Sequence, residues 1–226
     1  MFWGAYSVLY RLKESYPDAP YNLTARMYVM IDDMIKYAPV MFYEGQGKVR
    51  AVAYMTDETK PPEQNTYTHK GCDPYCYLDD PYEGELFTFI LYLLADLPEA
   101  DQQQLWIAKR TKLQRDEFKV PNTNETITVQ KGWWFSSHEQ WKYMFLPYLQ
   151  SDIHQRLFLN NERARTWNSW ARNIPGLYAA TNGPIYSDSQ NMDYYNSCGI
   201  QEIAFEPVGH LDVVTPYGAY PLLLVK

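Results

Sequence analysis

Apolar residues at Phe2, Ala5, Val8, Leu9 and Leu12 recur at helical spacing, and the Tyr16-Pro17-Asp18-Ala19-Pro20 break predicts that this helix stops just before it. Asn22 reads as the N-cap of a second helix carrying Ala25, Met27, Met30, Ile31, Met34 and Ile35. The period then changes to two. Val49, Ala51, Ala53 and Met55 alternate with mostly polar partners, which predicts a short hairpin. From Thr56 to Asp80 the chain is polar and rich in Pro, Thr, Asp and Tyr, the composition of a long loop.

The block from about Tyr82 to Leu97 is apolar on nearly every side beyond its first turn, so a helix buried all round is expected. A strongly amphipathic helix is expected from Asp101 to Phe118. The alternation repeats in Ser136 to Tyr148, dense in Trp141, Tyr143, Met144, Phe145 and Leu146, and in the polar-rich stretch from Asp152 to Arg172. Inner and outer helices in turn predict a mainly α domain of helical hairpins in two concentric layers. Three such pairs and a last segment, Val213 to Leu224, fit one domain over residues 1–226, with short β-hairpins in the loops. The hairpins share no alignable repeat.

Composition narrows the function classes. A formal charge of −7, with only Lys109, Arg110, Lys112 and Arg115 gathered together, gives no electrostatic footprint for phosphate backbones, so a nucleic-acid partner is not expected. No apolar run reaches bilayer-spanning length, because Phe89 to Leu94 is bounded by Glu85 and Asp96, so no membrane partner is expected. No basic region with a signal core opens the sequence. Twenty-one Tyr, seven Trp and nine Phe would suit a cleft that stacks flat rings, or equally bulky core filling. Cys72 and Cys76 share a loop and Cys198 is distant, so a local disulfide and free thiols both stand. His69 alone joins those cysteines as a metal ligand, too few for zinc, and neither a metal nor a cofactor is expected.

Chemistry concentrates where Asp79-Asp80-Pro81-Tyr82-Glu83-Gly84-Glu85 runs into the apolar helix, since paired acids at an apolar wall are what glycosidic-bond hydrolysis requires. Glu83 and Glu85 point about 200° apart on a helix, so one of them is the candidate acid unless the first turn is irregular. The competing reading is that both are first-turn carboxylates favoured by the helix dipole. Tyr82, Phe87, Trp133 and Trp134 are candidates for the apolar wall. Ser136 and Glu139 have capping-box spacing, and no nucleophile elbow occurs, so a Ser-His hydrolase site is not expected; His138 remains a candidate partner for a sugar hydroxyl. Arg163 and Trp167 share a helical face and could grip a polar ligand or form a solvated surface pair. His154 reads as structural, and Asn182-Gly183-Pro184 as a turn.

The order of these motifs resembles the glycoamylase-like group that includes the endo-β-1,2-glucanases. That group opens a helix with Tyr-x-Glu and continues into Tyr-Leu-Leu-Ala; Tyr82-Glu83-Gly84-Glu85 precedes Ile90-Leu91-Tyr92-Leu93-Leu94-Ala95 here, with spacing loose enough to leave either glutamate as the match. Gly132-Trp133-Trp134-Phe135-Ser136-Ser137-His138 is similar to its Gly-x-x-Phe-x-x-His segment, and Asn160 to Thr166 to its Asn-x-x-Arg-Ala helix. Asn182-Gly183-Pro184 is similar to its Asp-Gly-Pro turn with an amide for the acid, Asp212 to Ala219 to its late Asp and Pro-aromatic-Ala segment, and Met41 to Gly47 to its Phe-Tyr-Asp and Gly turn.

The resemblance implies an (α/α)6 toroid and hydrolysis of a β-glucan, most naturally β-1,2-linked, with inversion. Glu83 or Glu85 would be the acid and Asp212 the base, with Asp188 and Asp193 as loop alternatives. Tyr82, Trp133, Trp134, His138, Trp141, Arg163, Trp167 and Asn182 would bind a polysaccharide or oligosaccharide substrate. The group's further acidic residues at the helix matching Phe2 to Ala5 are not in this chain, and its last helices would continue beyond Lys226. An incomplete barrel is therefore expected, either the C-terminal portion of an enzyme whose upstream portion would be its partner, or a degenerate relative. The rival readings are a noncatalytic carbohydrate-binding module and an aromatic interaction surface completed by another chain. Family habit and the sequons at Asn22 and Asn124 point to secretion.

Overall fold

The computed structural model describes residues 2–64, 77–78, 83–110, 113–132, 135, 140–173, 180–181, 194–195, 199–205, 207–208 and 223–224. Its elements in chain order are α1 (Phe2–Ser15), α2 (Leu23–Phe42), β1 (Tyr43–Gly45), β2 (Lys48–Val49), α3 (Glu83–Leu94), α4 (Glu99–Arg110), β3 (Arg115–Lys119), β4 (Thr126–Gln130), α5 (Lys142–Phe145), α6 (Asp152–Arg172), β5 (Ala180–Thr181) and β6 (Tyr194–Tyr195). Among the described residues the protein is mainly α-helical, with three two-stranded antiparallel hairpins. The residues form two compact units, Met1–Asp79 with Gly84–Lys112, and Asp80–Glu83 with Leu113–Lys226.

In the first unit, α1 ends at Ser15 because Pro17 cannot continue the ladder. Tyr21 and Asn22 both take left-handed backbone at the entry to α2; Asn22 caps that helix by position, without a side-chain hydrogen bond. Phe2 and Leu9 of α1, Ile31 of α2 and Ile90 of α3 form one buried cluster, and the Trp3 indole donates to the Leu86 carbonyl at 2.8 Å. A second cluster joins Ala38, Val49, Leu91, Ala95 and Leu105. Leu91 and Leu105 are fully buried, each stabilising by about 1.5–3 kcal/mol. The acids Glu99 and Asp101 open α4 and the cations Lys109 and Arg110 close it, matching the helix dipole at both ends.

Two expectations for this unit are corrected. The hairpin lies upstream of Val49 to Met55: Tyr43–Gly45 pairs with Lys48–Val49 around a turn in which Gly45, Gln46 and Gly47 all have positive φ. Beyond Val49 the described residues hold isolated bridges rather than a strand, with Arg50 bridging to Tyr77. Nor is α3 buried all round, since Leu93 is 53% exposed and Phe89, Tyr92 and Leu94 are half-buried.

The helix expected to run from Asp101 to Phe118 ends at Arg110 in the first unit, and in the second unit Arg115–Lys119 is instead a strand paired with Thr126–Gln130. Phe118 and Val120 meet Ile127 and Val129 in one core with Phe135, Ala164, Ile200 and Ile203. The Thr123 hydroxyl closes the intervening turn by donating to the Val120 carbonyl at 3.0 Å and accepting from the Glu125 amide at 3.0 Å. Cross-strand burial of this kind overrides helical propensity. Of the helix expected over Ser136 to Tyr148, the described helical part is α5, followed by a 3-10 turn over Pro147–Gln150. Helix α6 has the expected bounds. Of Val213 to Leu224, only Leu223 and Leu224 are described, in a 3-10 turn.

Candidate active site and its supporting helix

On α3 the buried residues Glu85, Thr88 and Leu91 form one stripe at helical spacing. Glu85 is 2% exposed, so one of the two candidate acids sits in the helix wall, withdrawn from bulk water. Glu83 is described only as the first residue of α3. Tyr82, Trp133, Trp134, His138, Asn182 and Asp212 lie outside the described residues, as do Asp188, Asp193, His69, the three cysteines and the Ser136 to Glu139 capping box. Among the described residues no three His, Cys, Asp or Glu side chains gather as metal ligands, and no helix is long and apolar enough to cross a membrane.

The remaining candidates are placed in the second unit. Trp141 is half-buried and immediately precedes α5. Arg163 is a surface residue: its Nη2 donates to both carboxylate oxygens of Glu125 at 2.7 and 2.8 Å. Trp167 is half-buried, packed against the core of this unit and edge-to-face with Trp170 at 5.1 Å. Arg163 thus has the surface-pair geometry. His154 packs on the Tyr148 ring with centroids 4.6 Å apart.

Helix α6 also presents a buried face made of polar side chains, Asn161, Glu162, Arg165, Asn168 and Ser169, all at most 9% exposed. Asn160 donates to the Thr128 carbonyl at 2.7 Å, and Asn161 Oδ1 accepts the Gln130 amide at 3.0 Å, so adjacent asparagines bind α6 to β4. Glu162 Oε1 accepts from Gln140 Nε2 at 2.9 Å and from Arg165 Nη2 at 2.8 Å, while Gln140 Nε2 also reaches the Phe158 carbonyl at 3.1 Å. The Arg165 guanidinium lies 5.0 Å from the centroid of the Phe135 ring. Phe135 is fully buried with φ +59, a backbone state that costs a bulky residue about 1–3 kcal/mol and persists only where surroundings impose it.

Lys142 Nζ donates to Gln130 Oε1 at 3.2 Å, with both residues buried. Gly132 exchanges backbone hydrogen bonds with Ile203 at 3.2 Å and Phe205 at 2.8 Å. The buried contacts of Gln140, Lys142, Glu162, Arg165 and Asn168 were not foreseen from the sequence. The available signal was the run of asparagines and charges in mid-helix, where short amides are poor helix formers and call for a tertiary reason.

The whole chain, residues 1–226, matches the family model described as Endo-beta-1,2-glucanase SGL. No curated protein matches it. Two solved structures of an endo-beta-1,2-glucanase from Talaromyces funiculosus are similar to it. One, a complex with sophorose, is 36% identical over 99% of this chain and 45% of that chain, with a TM-score of 0.86. The other, a glutamate-to-glutamine mutant with beta-1,2-glucan, is 35% identical over the same shares, also with a TM-score of 0.86. The chain therefore spans about 45% of the length of these relatives and has the fold of that portion. With its full length matched to the family model and its backbone to these two structures, the chain belongs to the endo-beta-1,2-glucanase SGL family.

Proposed function

We propose that this chain is part of an endo-acting glycoside hydrolase that cleaves β-1,2-linked glucan. The observation that carries the reading is the family match over the full 226 residues, supported by related structures described as complexes with sophorose and beta-1,2-glucan. The proposed chemistry is inversion. One carboxyl protonates the departing glycosidic oxygen while a second carboxylate takes a proton from water attacking the opposite face, the two standing roughly 6.5–9.5 Å apart to admit that water.

Glu85 is the preferred acid because it combines the family's acid-opened helix with burial at 2% exposure, and Glu83 is its alternative. Asp212 is the proposed base on its motif. Trp133, Trp134, Trp141 and His138 are the proposed sugar contacts, since flat aromatic faces suit pyranose rings and imidazole suits hydroxyls. Secretion belongs to the same proposal: the sequon residues Asn22 and Asn124 are both exposed. A mass shift on N-glycanase treatment, after expression in a secreting eukaryotic host, checks it.

The decisive assay uses protein extended to the length of the family's solved members and linear β-1,2-glucan. Release of sophorose and longer oligosaccharides, with the fresh reducing end in the α configuration by proton NMR, is the expected result. No oligosaccharide from this or any other β-glucan overturns the reading.

A further inference from the structure

We propose that Asn22 is an N-glycosylation site and that the groove beside it seats the first sugar of the glycan; the proposal rests on the secretion proposed above. Asn22-Leu23-Thr24 has the acceptor pattern, an asparagine followed two residues later by a hydroxyl. In transfer, the Asn22 amide nitrogen attacks the anomeric carbon of a lipid-linked oligosaccharyl diphosphate. The carbon–nitrogen bond forms as the bond from that carbon to the phosphate oxygen breaks. The diphosphate leaves with the electron pair, and the amide gives up a proton.

Asn22 stands at the N-cap of α2 in left-handed backbone, yet its side chain makes no capping hydrogen bond, so the usual reason for an asparagine there is absent. Thr24 Oγ1 is buried without a hydrogen-bond partner, an unfavourable state that a valine of the same shape would avoid. That hydroxyl is idle in the fold and required by the acceptor pattern. Both residues line one open groove of about 670 Å³, within the roughly 300–1,000 Å³ range of small-ligand clefts. Tyr28 and Val29 stand 51% and 58% exposed on its wall, apolar surface suited to the face of a pyranose ring. The Lys13 ammonium is 4.8 Å from the Tyr28 ring centroid and Asp18 lines the same groove, so a donor and an acceptor for sugar hydroxyls border that wall. The tether fixes the occupant as the N-acetylhexosamine that opens an N-linked glycan, delivered to the groove at high effective concentration.

The test uses the extended protein, exported from a eukaryotic host behind an added leader, and the same protein made in bacteria. Peptide mass after N-glycanase reads the conversion of Asn22 to aspartate. Hydrogen exchange is followed in peptides covering residues 17–29 and, as an internal control, in α6. Exported protein trimmed by an endoglycosidase to its proximal sugar is compared with exported Thr24→Val, which abolishes the acceptor pattern and keeps Asn22. Expected are conversion of Asn22, and exchange in 17–29 at least about fivefold faster in exported Thr24→Val than in trimmed wild type, with α6 unchanged. In bacterial protein, which carries no glycan, Thr24→Val should exchange no faster than wild type, because the hydroxyl it removes has no partner. An unmodified Asn22, equal exchange in the exported pair, or faster exchange in bacterial Thr24→Val overturns the proposal. If Thr24→Val does not fold, Asn22→Gln carries the same exchange readouts. Retention of the natively expressed enzyme inside its cells fails the secretion reading, whereas an unmodified Asn22 in exported protein fails this proposal alone.

Discussion

The Tyr43 hydroxyl donates to Asp101 Oδ1 at 2.7 Å and accepts from the Gly47 amide at 3.3 Å, tying β1 to the first turn of α4. Burial, and then the hydrogen bond to Asp101, pushes the phenol up from its ordinary 10.0 to about 12. Raised this way, the neutral phenol is favoured by the native state. Its contribution is complete below the unfolded value near 10 and is lost as pH rises through about 12. Tyr43→Phe is expected to cost about 1 kcal/mol at neutral pH. The gap in denaturation midpoint between wild type and variant should close between about pH 10 and 12. A gap that stays constant to pH 12 contradicts the assignment.

Gly47 makes the tightest backbone approach in the same hairpin. At φ +75 a Cβ there would stand 2.5 Å from the Gln104 carbonyl oxygen, a backbone atom that cannot swing away. Gly47→Ala should therefore destabilise by about 2–4 kcal/mol, combining strain and clash. Gly45 has φ +94 but nothing within 4 Å of a built Cβ. Gly45→Ala should cost only about 1–2 kcal/mol, conformational strain alone. Thermal melts of the two variants separate these contributions, and equal losses would rule out the clash.

These turn-level effects mark what the sequence could reveal. The bounds of α6 and the stop of α1 at Ser15 were legible because Pro17 and the Asp152 first turn are local signals. The strand Arg115–Lys119 was not, because its reason lies in Ile127 and Val129 across a turn, and a helical count through Phe118 fits the local pattern as well. The acid-opened helix was legible at Glu83 to Leu94. The buried polar face of α6 was not, because amides and charges read as solvated until Gln130 and Gln140, 31 and 22 residues from their partners, are brought against them.

Arg163 shows how alike a surface ion pair and a ligand grip look in sequence. Its side chain and that of Glu125 are 44% and 48% exposed. A pair so placed contributes about 0.2–1 kcal/mol, weakened further by salt. Arg163→Ala is expected to lower stability by no more than that and to leave sophorose affinity within about twofold. A tenfold loss of affinity in a fluorescence titration would restore Arg163 as a ligand grip.

Glu85 carries the sharpest prediction, because a proton donor is needed in proportion to the basicity of what departs. Glu85→Gln keeps the volume of a side chain that is 2% exposed, so the fold should tolerate it while the transferable proton is lost. In the extended protein, turnover of linear β-1,2-glucan is expected to fall about 10²–10⁴-fold, with sophorose affinity little changed. A dinitrophenyl sophoroside departs as a stabilised phenolate and needs little protonation. With that substrate the deficit should shrink to within about tenfold, whereas replacing the base, Asp212→Asn, should leave both substrates equally slow, since water must still be activated. If Glu83→Gln gives the leaving-group-dependent pattern and Glu85→Gln gives full turnover, the acid is Glu83. Equal deficits on the two substrates for both glutamate variants would remove the acid role from this helix altogether.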